Sequence, residues 1–301
     1  MTEAQDLSAF INKHKLPESY KDVVRKWFQP MAEAILIRQK KKGRPLIIGI
    51  NGSQGSGKST LADLLVSLLP QMADISVISL SIDDFYLTHE QREQLANEVH
   101  PLFQTRGVPG THDITLALET LYDLTHQNRA CKIPRFDKSH DNRYPIEQWH
   151  YVEASPQIII LEGWCVGAEA QSDEDLLNPL NTLEADEDDK CIWRRYANHK
   201  LRHDYQRLFS QIDLWVMLKA PSFACVFDWR LEQEEKLRQA CKEQLLPCDR
   251  LMSADEITRF IMHYQRITEH TLTTLPHKVH FLFELDAKRN IIQLSTPLKL
   301  N

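Results

Sequence analysis

The stretch that decides the fold is LIIGINGSQGSGKST, residues 46–60. Its first five residues form a short apolar run, which is typical of a β-strand that is buried on both faces. A glycine-rich loop follows at residues 52–59, and leucines at helical spacing come directly after it, at positions 61, 64, 65, 68 and 69. This order predicts a strand, a tight loop and a helix, as in one βα unit of an α/β protein.

The loop matches the Walker A pattern, whose backbone N–H groups surround nucleotide phosphates. In this pattern Lys58 reaches the β- and γ-phosphates and acts in catalysis, and the hydroxyl of Ser59 holds Mg²⁺. We therefore expect ATP and Mg²⁺ to bind here. The predicted nucleotide-binding residues are Gly52, Ser53, Gln54, Gly55, Ser56, Gly57, Lys58, Ser59 and Thr60. The alternative, a glycine turn that binds nothing, is disfavoured because the loop follows a strand pattern and opens a helical one.

Four more apolar runs that are typical of strands lie at residues 75–81, 158–161, 214–218 and 279–285. Helical patterns separate them, and strands that alternate with helices form parallel sheets. The predicted fold class is therefore α/β, a P-loop NTPase with a doubly wound, five-stranded parallel sheet.

The rest of the chain divides by composition. Residues 1–44 have a polar helical pattern that predicts an N-terminal helical extension, and residues 45–301 predict the P-loop domain. Within that domain, residues 169–190 are rich in Asp and Glu and are expected to form a mobile surface insertion. Residues 229–259 are highly charged and helical, with an interruption near Pro247.

Acidic residues follow two of the predicted strands. Asp83 and Asp84 come after the second strand, and Glu162 ends the third. Ligands of open α/β sheets bind at the carboxyl ends of strands, where a carboxylate can accept a proton from a hydroxyl or hold Mg²⁺. We favour Asp83 as catalytic base and Glu162 as metal ligand. The alternative for the aspartates is a cap on the following turn, and two adjacent aspartates allow one to cap while the other acts in catalysis. The alternative for Glu162 is a helix cap.

The segment RGVPGTHD, residues 106–113, combines turn residues with charged ones. A substrate-binding loop would use Arg106 for a carboxylate or phosphate, and His112 and Asp113 for hydroxyls. His112 and Asp113 could equally cap a helix that begins at Ile114. The residues alone do not decide between these two interpretations.

A second polar segment, residues 134–143, concentrates positive charge in an otherwise acidic protein. Arg135, Lys138 and Arg143 are its candidates for binding an anionic substrate. The alternative is an exposed β-hairpin whose charged side chains are solvated.

Composition excludes some classes of protein. The chain has 301 residues and a net charge of −6, and this mild acidity argues against nucleic acid as a partner. No apolar run is long enough to cross a bilayer, so we expect no membrane partner. The N-terminus lacks a secretory pattern and the six cysteines form no CxxC pair, which predicts reduced thiols in a cytoplasmic protein. Nothing in the sequence indicates the oligomeric state.

Together, these segments resemble the plant-type D-glycerate 3-kinase family, within the wider group of uridine kinases, phosphoribulokinases and type I pantothenate kinases. The resemblance extends from about residue 46 to residue 291. It is carried by the order and spacing of GSQGSGKST (52–60), SIDDFYLT (81–88), RGVPGTHD (106–113), IPRFDKS (133–139), LEGWCVG (161–167), Asn198-x-x-Leu201-x-x-x-Tyr205 and WRLEQE (229–234).

The resemblance implies a parallel five-stranded sheet with a mobile helical lid, which would match residues 229–259. It implies phosphorylation of the 3-hydroxyl of D-glycerate by ATP. It also implies that Asp83 is the base, that Tyr86 belongs to the acceptor site, and that Arg230 of the lid stabilises the γ-phosphate. D-Glycerate is a small hydroxy acid, and its carboxylate suits Arg106 and the cations of the second polar segment.

One segment departs from the family pattern. After IPRFDKS the family typically has a glycine-rich stretch that ends in Gly-Asp-Arg, whereas this chain has Ser139-His140-Asp141-Asn142-Arg143. This stretch borders the expected acceptor pocket, so it bears on the acceptor more than on phosphoryl transfer. The alternatives are a kinase of the same fold that acts on a nucleoside or on pantothenate, and a nucleotide switch that hydrolyses ATP and signals to a partner.

Overall fold

The computed structural model describes residues 7–126, 130–243 and 252–299. Within these residues the strands are β1 Leu46–Gly52, β2 Val77–Ser81, β3 Cys131–Ile133, β4 Phe136–Asp137, β5 Asn142–Arg143, β6 His150–Val152, β7 Ile158–Gly163, β8 Leu214–Lys219, β9 Phe281–Leu285 and β10 Ile291–Ser295. The α-helices are α1 Ser8–His14, α2 Tyr20–Val23, α3 Gln29–Lys42, α4 Lys58–Met72, α5 His89–Glu98, α6 Ile114–His126, α7 Thr182–Glu187, α8 Ile192–Lys200, α9 Gln206–Phe209, α10 Phe223–Glu243 and α11 Ala254–Thr274. None of these helices is both long enough and apolar enough to span a membrane.

The central sheet has the spatial order β2-β7-β1-β8-β9-β10 in the described part of the chain. The first five strands in this order are parallel, and β10 is antiparallel to β9. The α/β class and the five predicted parallel strands are therefore confirmed. The edge strand β10 is missing from the prediction because exposed side chains, such as Ile292 at 62% exposure, break up its apolar pattern.

Helices cover both faces of this sheet. Alternate residues of β1 point to opposite faces, so each face can bury apolar side chains against its own helices. Leu46, Ile48 and Ile50 pack in a layer with α3 and α4, whereas Ile47 packs in a second layer with α6 and α9. All four side chains are buried, and each contributes about 1.5–3 kcal/mol to folding. The apolar run at the start of the deciding stretch thus reflects burial on both faces.

The N-terminal helices belong to the first of these layers. Phe10, Phe28, Met31 and Ile35 are buried there, together with the leucines of α4. The predicted boundary between the N-terminal extension and the P-loop domain, at residues 44 and 45, stays a prediction. Residues from both sides of it share one hydrophobic core.

Composition predicts a mobile surface insertion at residues 169–190, but the structure buries part of this segment. Glu184 is fully buried and accepts hydrogen bonds from Arg266 of α11 at 2.6 and 2.7 Å. Asp188 is also buried, and Arg194 of α8 binds it at 2.8 Å. The prediction of a surface position is therefore wrong for these two residues. Their carboxylates can be buried because arginines from two helices neutralise their charges.

The predicted lid at residues 229–259 corresponds to most of α10 and the start of α11. Residues 244–251, with the predicted interruption near Pro247, lie outside the described residues. Near the start of the lid, Trp229 is 2% exposed and donates a hydrogen bond to the carbonyl oxygen of Ala287 at 2.8 Å. The mobility of the lid stays a prediction.

Arg266→Ala is expected to lower the free energy of unfolding by about 3–5 kcal/mol, because it leaves the Glu184 carboxylate buried without its cation. Arg259→Ala is the matched control in the same helix. Its partner is Glu187, the exposed fractions of the two side chains are 49% and 44%, and exposed pairs contribute about 0–1 kcal/mol. Urea denaturation measures both losses, and equal losses would contradict the argument from burial.

Candidate active site

Three candidate segments meet at one edge of the sheet. The Walker A loop follows β1, Asp83 follows β2, and Glu162 lies at the end of β7. β7 lies between β1 and β2 and is parallel to both, so the carboxyl ends of the three strands reach the same edge. Ligands of open α/β sheets bind at this edge.

The Walker A loop has a conformation that suits phosphate binding. Gly55 and Gly57 have φ values of +79° and +90°, which favour glycine. α4 begins at Lys58, and the first N–H groups of a helix have no partner within that helix. The hydroxyls of Ser53 and Ser56 are buried and have no hydrogen-bond partner in the described residues. Unsatisfied donors in such a loop fit an anionic ligand.

Ser59 and Glu162 form the candidate magnesium site. Ser59 Oγ donates a hydrogen bond to Glu162 Oε1 at 3.1 Å, and the described residues offer Glu162 Oε2 no hydrogen-bond partner although it is buried. Burial raises the pKa of Glu162, and the charge of Lys58 opposes that rise. A hydroxyl and an unsatisfied carboxylate oxygen fit Mg²⁺, which commonly takes one or two carboxylates and keeps several waters.

Asp83 lies in a 3-10 turn directly after β2. Its carboxylate accepts hydrogen bonds from Lys138 Nζ at 2.6 Å and from the Tyr86 hydroxyl at 3.0 Å. Burial raises the pKa of Asp83, but the charges of Lys138 and Lys58, with the hydrogen bond from Lys138, outweigh burial and lower this pKa to about 2. Asp83 is therefore ionised at neutral pH and can accept a hydrogen bond from a substrate hydroxyl.

The adjacent Asp84 joins two segments instead. It accepts hydrogen bonds from the backbone N–H of Phe136 at 3.1 Å and from Arg135 Nη1 at 3.3 Å. The turn after β2 is thereby tied to the β4–β5 hairpin, and Arg135 is placed against an aspartate. Neither aspartate caps the turn, because Ser81 Oγ accepts the hydrogen bond from the N–H of Asp83 at 3.3 Å.

The predicted hairpin at residues 134–143 is present, since β4 and β5 pair antiparallel. It also supplies cations to the site. Lys138 is 60% exposed and still reaches the candidate base. Arg143 Nη2 donates to the carbonyl oxygen of Tyr86 at 2.9 Å and lies 3.4 Å from Asp113 Oδ2. The two interpretations of this segment are therefore compatible.

The RGVPGTHD loop provides both a cap and a buried imidazole. Asp113 Oδ1 accepts a hydrogen bond from the N–H of Leu116 at 3.0 Å, which caps α6 as one interpretation predicts. His112 makes no such cap, because its Nδ1 lies 2.5 Å from the Tyr205 hydroxyl and its ring stacks on Tyr86 at 4.5 Å. Burial lowers the pKa of His112 to about 4, so the imidazole is neutral at pH 7.

The two remaining predicted arginines are each paired with an acidic side chain. Arg106 binds Asp141 and lies 5.6 Å from the ring centre of Phe136. Arg230 pairs at 2.7 Å with Glu234, one turn further along α10. The structure thus places Arg106 beside the β4–β5 hairpin, and Arg230 next to Trp229, which contacts Gly55 of the Walker A loop.

A cavity of about 500 Å³ opens beside these groups. Ser59, Asp83 and Glu162 line it from the sheet edge, and Lys138 lines it from the hairpin. A second cavity, of about 350 Å³, is lined in part by His112. The first volume suits a small acceptor next to a phosphoryl group.

Three residues of the site are absent from the predictions: Arg92, Asp141 and Tyr264. Arg92 lies in a polar helix, whose composition indicates an exposed surface, yet it is 1% exposed. The Tyr264 hydroxyl donates at 3.1 Å to the carbonyl oxygen of Arg106, which is 158 residues away in the chain. Only Asp141 has a signal in the sequence, because it falls in the stretch that departs from the family pattern.

Comparisons with known proteins agree with this arrangement. The model of the phosphoribulokinase / uridine kinase family matches residues 47–217. The chain is 37% identical to the uncharacterized kinase mug58 of Schizosaccharomyces pombe, over 80% of this chain and 86% of that protein. It is 30% identical to the chloroplastic D-glycerate 3-kinase of Arabidopsis thaliana, over 82% of this chain. The match spans about half of the Arabidopsis protein, 54%.

A solved structure shares the fold. The D-glycerate 3-kinase of Cryptococcus neoformans var. grubii superposes with a TM-score of 0.74, over 89% of this chain and 98% of that chain. The two sequences are 23% identical, so the likeness bears on the fold alone. It agrees with the mostly parallel sheet described above.

The wild type and Asp83→Asn are expected to differ in their free energy of unfolding, and this difference should depend on pH. Folding lowers the pKa of Asp83 from 3.8 to about 2. Ionised Asp83 therefore stabilises the folded state fully above about pH 4, and this contribution is lost as the pH falls toward about 2. Urea unfolding from about pH 7 down to about pH 3 measures the difference, which should shrink only at the acid end.

Lys138→Met is the companion variant, because Lys138 is the strongest of the charges that lower the pKa of Asp83. In its background the pKa of Asp83 should rise, and the pH dependence of the Asp83→Asn difference should become smaller. A difference that stays the same at every pH in both backgrounds would contradict this account of the site.

Proposed function

Because the chain belongs to the phosphoribulokinase and uridine kinase family, we propose that it transfers the γ-phosphate of ATP to the 3-hydroxyl of D-glycerate. The products are 3-phosphoglycerate and ADP. The observation that carries this proposal is the ionised carboxylate of Asp83, which lines the same cavity as Ser59 and Glu162. A base beside the phosphate-binding loop suits transfer to a second substrate better than it suits a switch that only hydrolyses ATP.

In this proposal residues 52–60 surround the phosphates of ATP. The charge of Lys58 acts on the pKa of both Asp83 and Glu162, so Lys58 lies near both carboxylates. Ser59 and Glu162 would hold Mg²⁺, which supplies positive charge to the β- and γ-phosphates when it is bound. The chain itself provides the lysine, the loop N–H groups and the helix N-terminus of α4.

Asp83 orients the acceptor hydroxyl and takes its proton as the hydroxyl oxygen bonds to the γ-phosphorus. The bond from the γ-phosphorus to the β–γ bridging oxygen breaks, and ADP leaves. A pKa of about 2 makes Asp83 a weak base, so its main contribution is to position the hydroxyl. Lys138 and Arg230 stabilise the charge of the transferred phosphoryl group.

The choice of D-glycerate rests on the charge of the site and on a relative. Arg106 and Arg143 place positive charge around Tyr86, which suits a small anionic acceptor. The polar groups of Tyr86, His112 and Asp113 suit its hydroxyls. The Arabidopsis relative, 30% identical, is a D-glycerate 3-kinase, although the match spans 54% of its length.

Purified protein with Mg-ATP is expected to release ADP rapidly when D-glycerate is added, and slowly with L-glycerate, uridine or pantothenate. Asp83→Asn should lower kcat by about 10²–10⁴-fold with little change in the KM for ATP, because it removes the group that orients and deprotonates the hydroxyl. Lys58→Ala should abolish turnover, because it removes the cation that reaches the phosphates.

Asp84→Asn makes the same chemical change one residue further along and serves as the control. Asp84 binds the hairpin, so its loss is expected to lower the Tm and to cost much less kcat than the loss of Asp83. Stimulation by another compound would replace the acceptor and keep the mechanism. ADP release that no acceptor increases, or full turnover in Lys58→Ala, would contradict the proposed kinase activity.

A further inference from the structure

A carboxylate bridges two arginines, Arg92 and Arg106, and Arg106 packs over Phe136, which lines the cavity of about 500 Å³. Asp141 Oδ2 lies 2.8 Å from Arg92 Nη2, and Asp141 Oδ1 accepts a hydrogen bond from Arg106 Nη1. Both arginines contribute to lowering the pKa of Asp141, although its partial burial acts in the opposite direction. The three side chains together carry one net positive charge.

Arg92 is the fixed end of this arrangement. It is 1% exposed, and its guanidinium donates to the carbonyl oxygens of Leu87 at 3.3 Å, Gln104 at 2.6 Å and Asp141 at 2.8 Å. A buried guanidinium with this many backbone acceptors has little freedom to move. Asp141, which has a left-handed φ of +55° next to β5, is therefore held through both its backbone and its carboxylate.

The backbone around Arg106 is also held in place. Its carbonyl oxygen accepts from the Tyr264 hydroxyl at 3.1 Å, and the next carbonyl, of Gly107, accepts from Trp164 Nε1 at 3.1 Å. Its guanidinium packs over Phe136. Among the described residues, the hydrogen bonds of this guanidinium involve Nη1 alone, and the side chain is 28% exposed. Its other edge, with Nε and Nη2, makes no hydrogen bond to the described residues.

We propose that Asp141 is a positioning residue, which holds Arg106 so that the Nε and Nη2 edge of the guanidinium binds the carboxylate of the acceptor. The inference rests on the proposed function, because it needs an acidic acceptor. Two N–H groups on one edge match the two oxygens of a carboxylate. The single net positive charge of the cluster matches one such anion.

D-Glyceramide provides the comparison, because it keeps both hydroxyls of D-glycerate and lacks the charge. The wild type is expected to prefer D-glycerate in kcat/KM. Asp141→Asn should reduce this preference by about tenfold, mainly through a higher KM for D-glycerate, with the KM for ATP unchanged. Asp141→Glu should restore part of the preference, since it restores the charge.

A double-mutant cycle separates positioning from general damage. In the Arg106→Ala background, Asp141→Asn should have no further effect on the preference, because Asp141 acts through Arg106. Asp213→Asn is the matched structural control. The carboxylate of Asp213 also bridges two cations, Lys42 at 2.6 Å and Arg44 at 2.9 Å, but at the opposite edge of the sheet, just before β8. It should lower the Tm and leave the preference for D-glycerate unchanged.

The possible outcomes separate this inference from the proposed function. Equal losses with both acceptors in Asp141→Asn would overturn the inference and keep the kinase. A stronger preference for D-glycerate in this variant would also overturn it, and would make Asp141 a competitor of the acceptor carboxylate. If another hydroxy acid proves to be the acceptor, the same comparison uses that acid and its amide. A wild type that acts only on neutral acceptors, or on none, overturns the inference together with the choice of D-glycerate.

Discussion

The parallel pairing of β7 with both β1 and β2 positions the Walker A loop, Asp83 and Glu162 relative to one another. In this register Ile50 of β1 and Ser81 of β2 both lie opposite Glu162. The Walker A loop therefore starts beside Glu162, and Ser59 comes within 3.1 Å of its carboxylate. Asp83 follows two residues after Ser81. A slip of one residue in this register would turn Glu162 to the other face of the sheet and separate these groups.

Burial and charge give the two carboxylates at this edge different properties. Burial raises the pKa of Glu162. Its carboxylate has one oxygen without a hydrogen-bond partner among the described residues, which suits a bound metal cation. Burial acts on the pKa of Asp83 in the same direction, but Lys138 and Lys58 together outweigh it there. Lys58 acts on both groups, so the difference between their pKa values comes in part from the hairpin lysine and in part from the charge of Asp83, which raises the pKa of Glu162. Two neighbouring carboxylates with pKa values moved in opposite directions can serve in different roles.

Sequence patterns predicted the parts of the site that are local in the chain. The Walker A loop, Asp83 and Glu162 all stand at the end of an apolar run, so periodicity and strand order were sufficient. Contacts between distant segments were not predictable in this way. Arg92 belongs to a helix of polar composition, and its burial depends on carbonyl groups up to 49 residues away. The buried carboxylate of Glu184 depends likewise on an arginine 82 residues further along.

The contact between Trp229 and the Walker A loop has a mechanical consequence. A Cβ atom on Gly55 would lie 2.6 Å from Trp229 Cβ, so Trp229 packs directly against the backbone of the phosphate loop. A helix as long as α10, with its 21 residues, measures about 30 Å. If α10 rotates about this contact, Trp229 is the fulcrum and the far end of the helix sweeps the widest arc. In such a rotation Arg230, next to the fulcrum, would move little relative to the Walker A loop, and the outer part of α10 would move most.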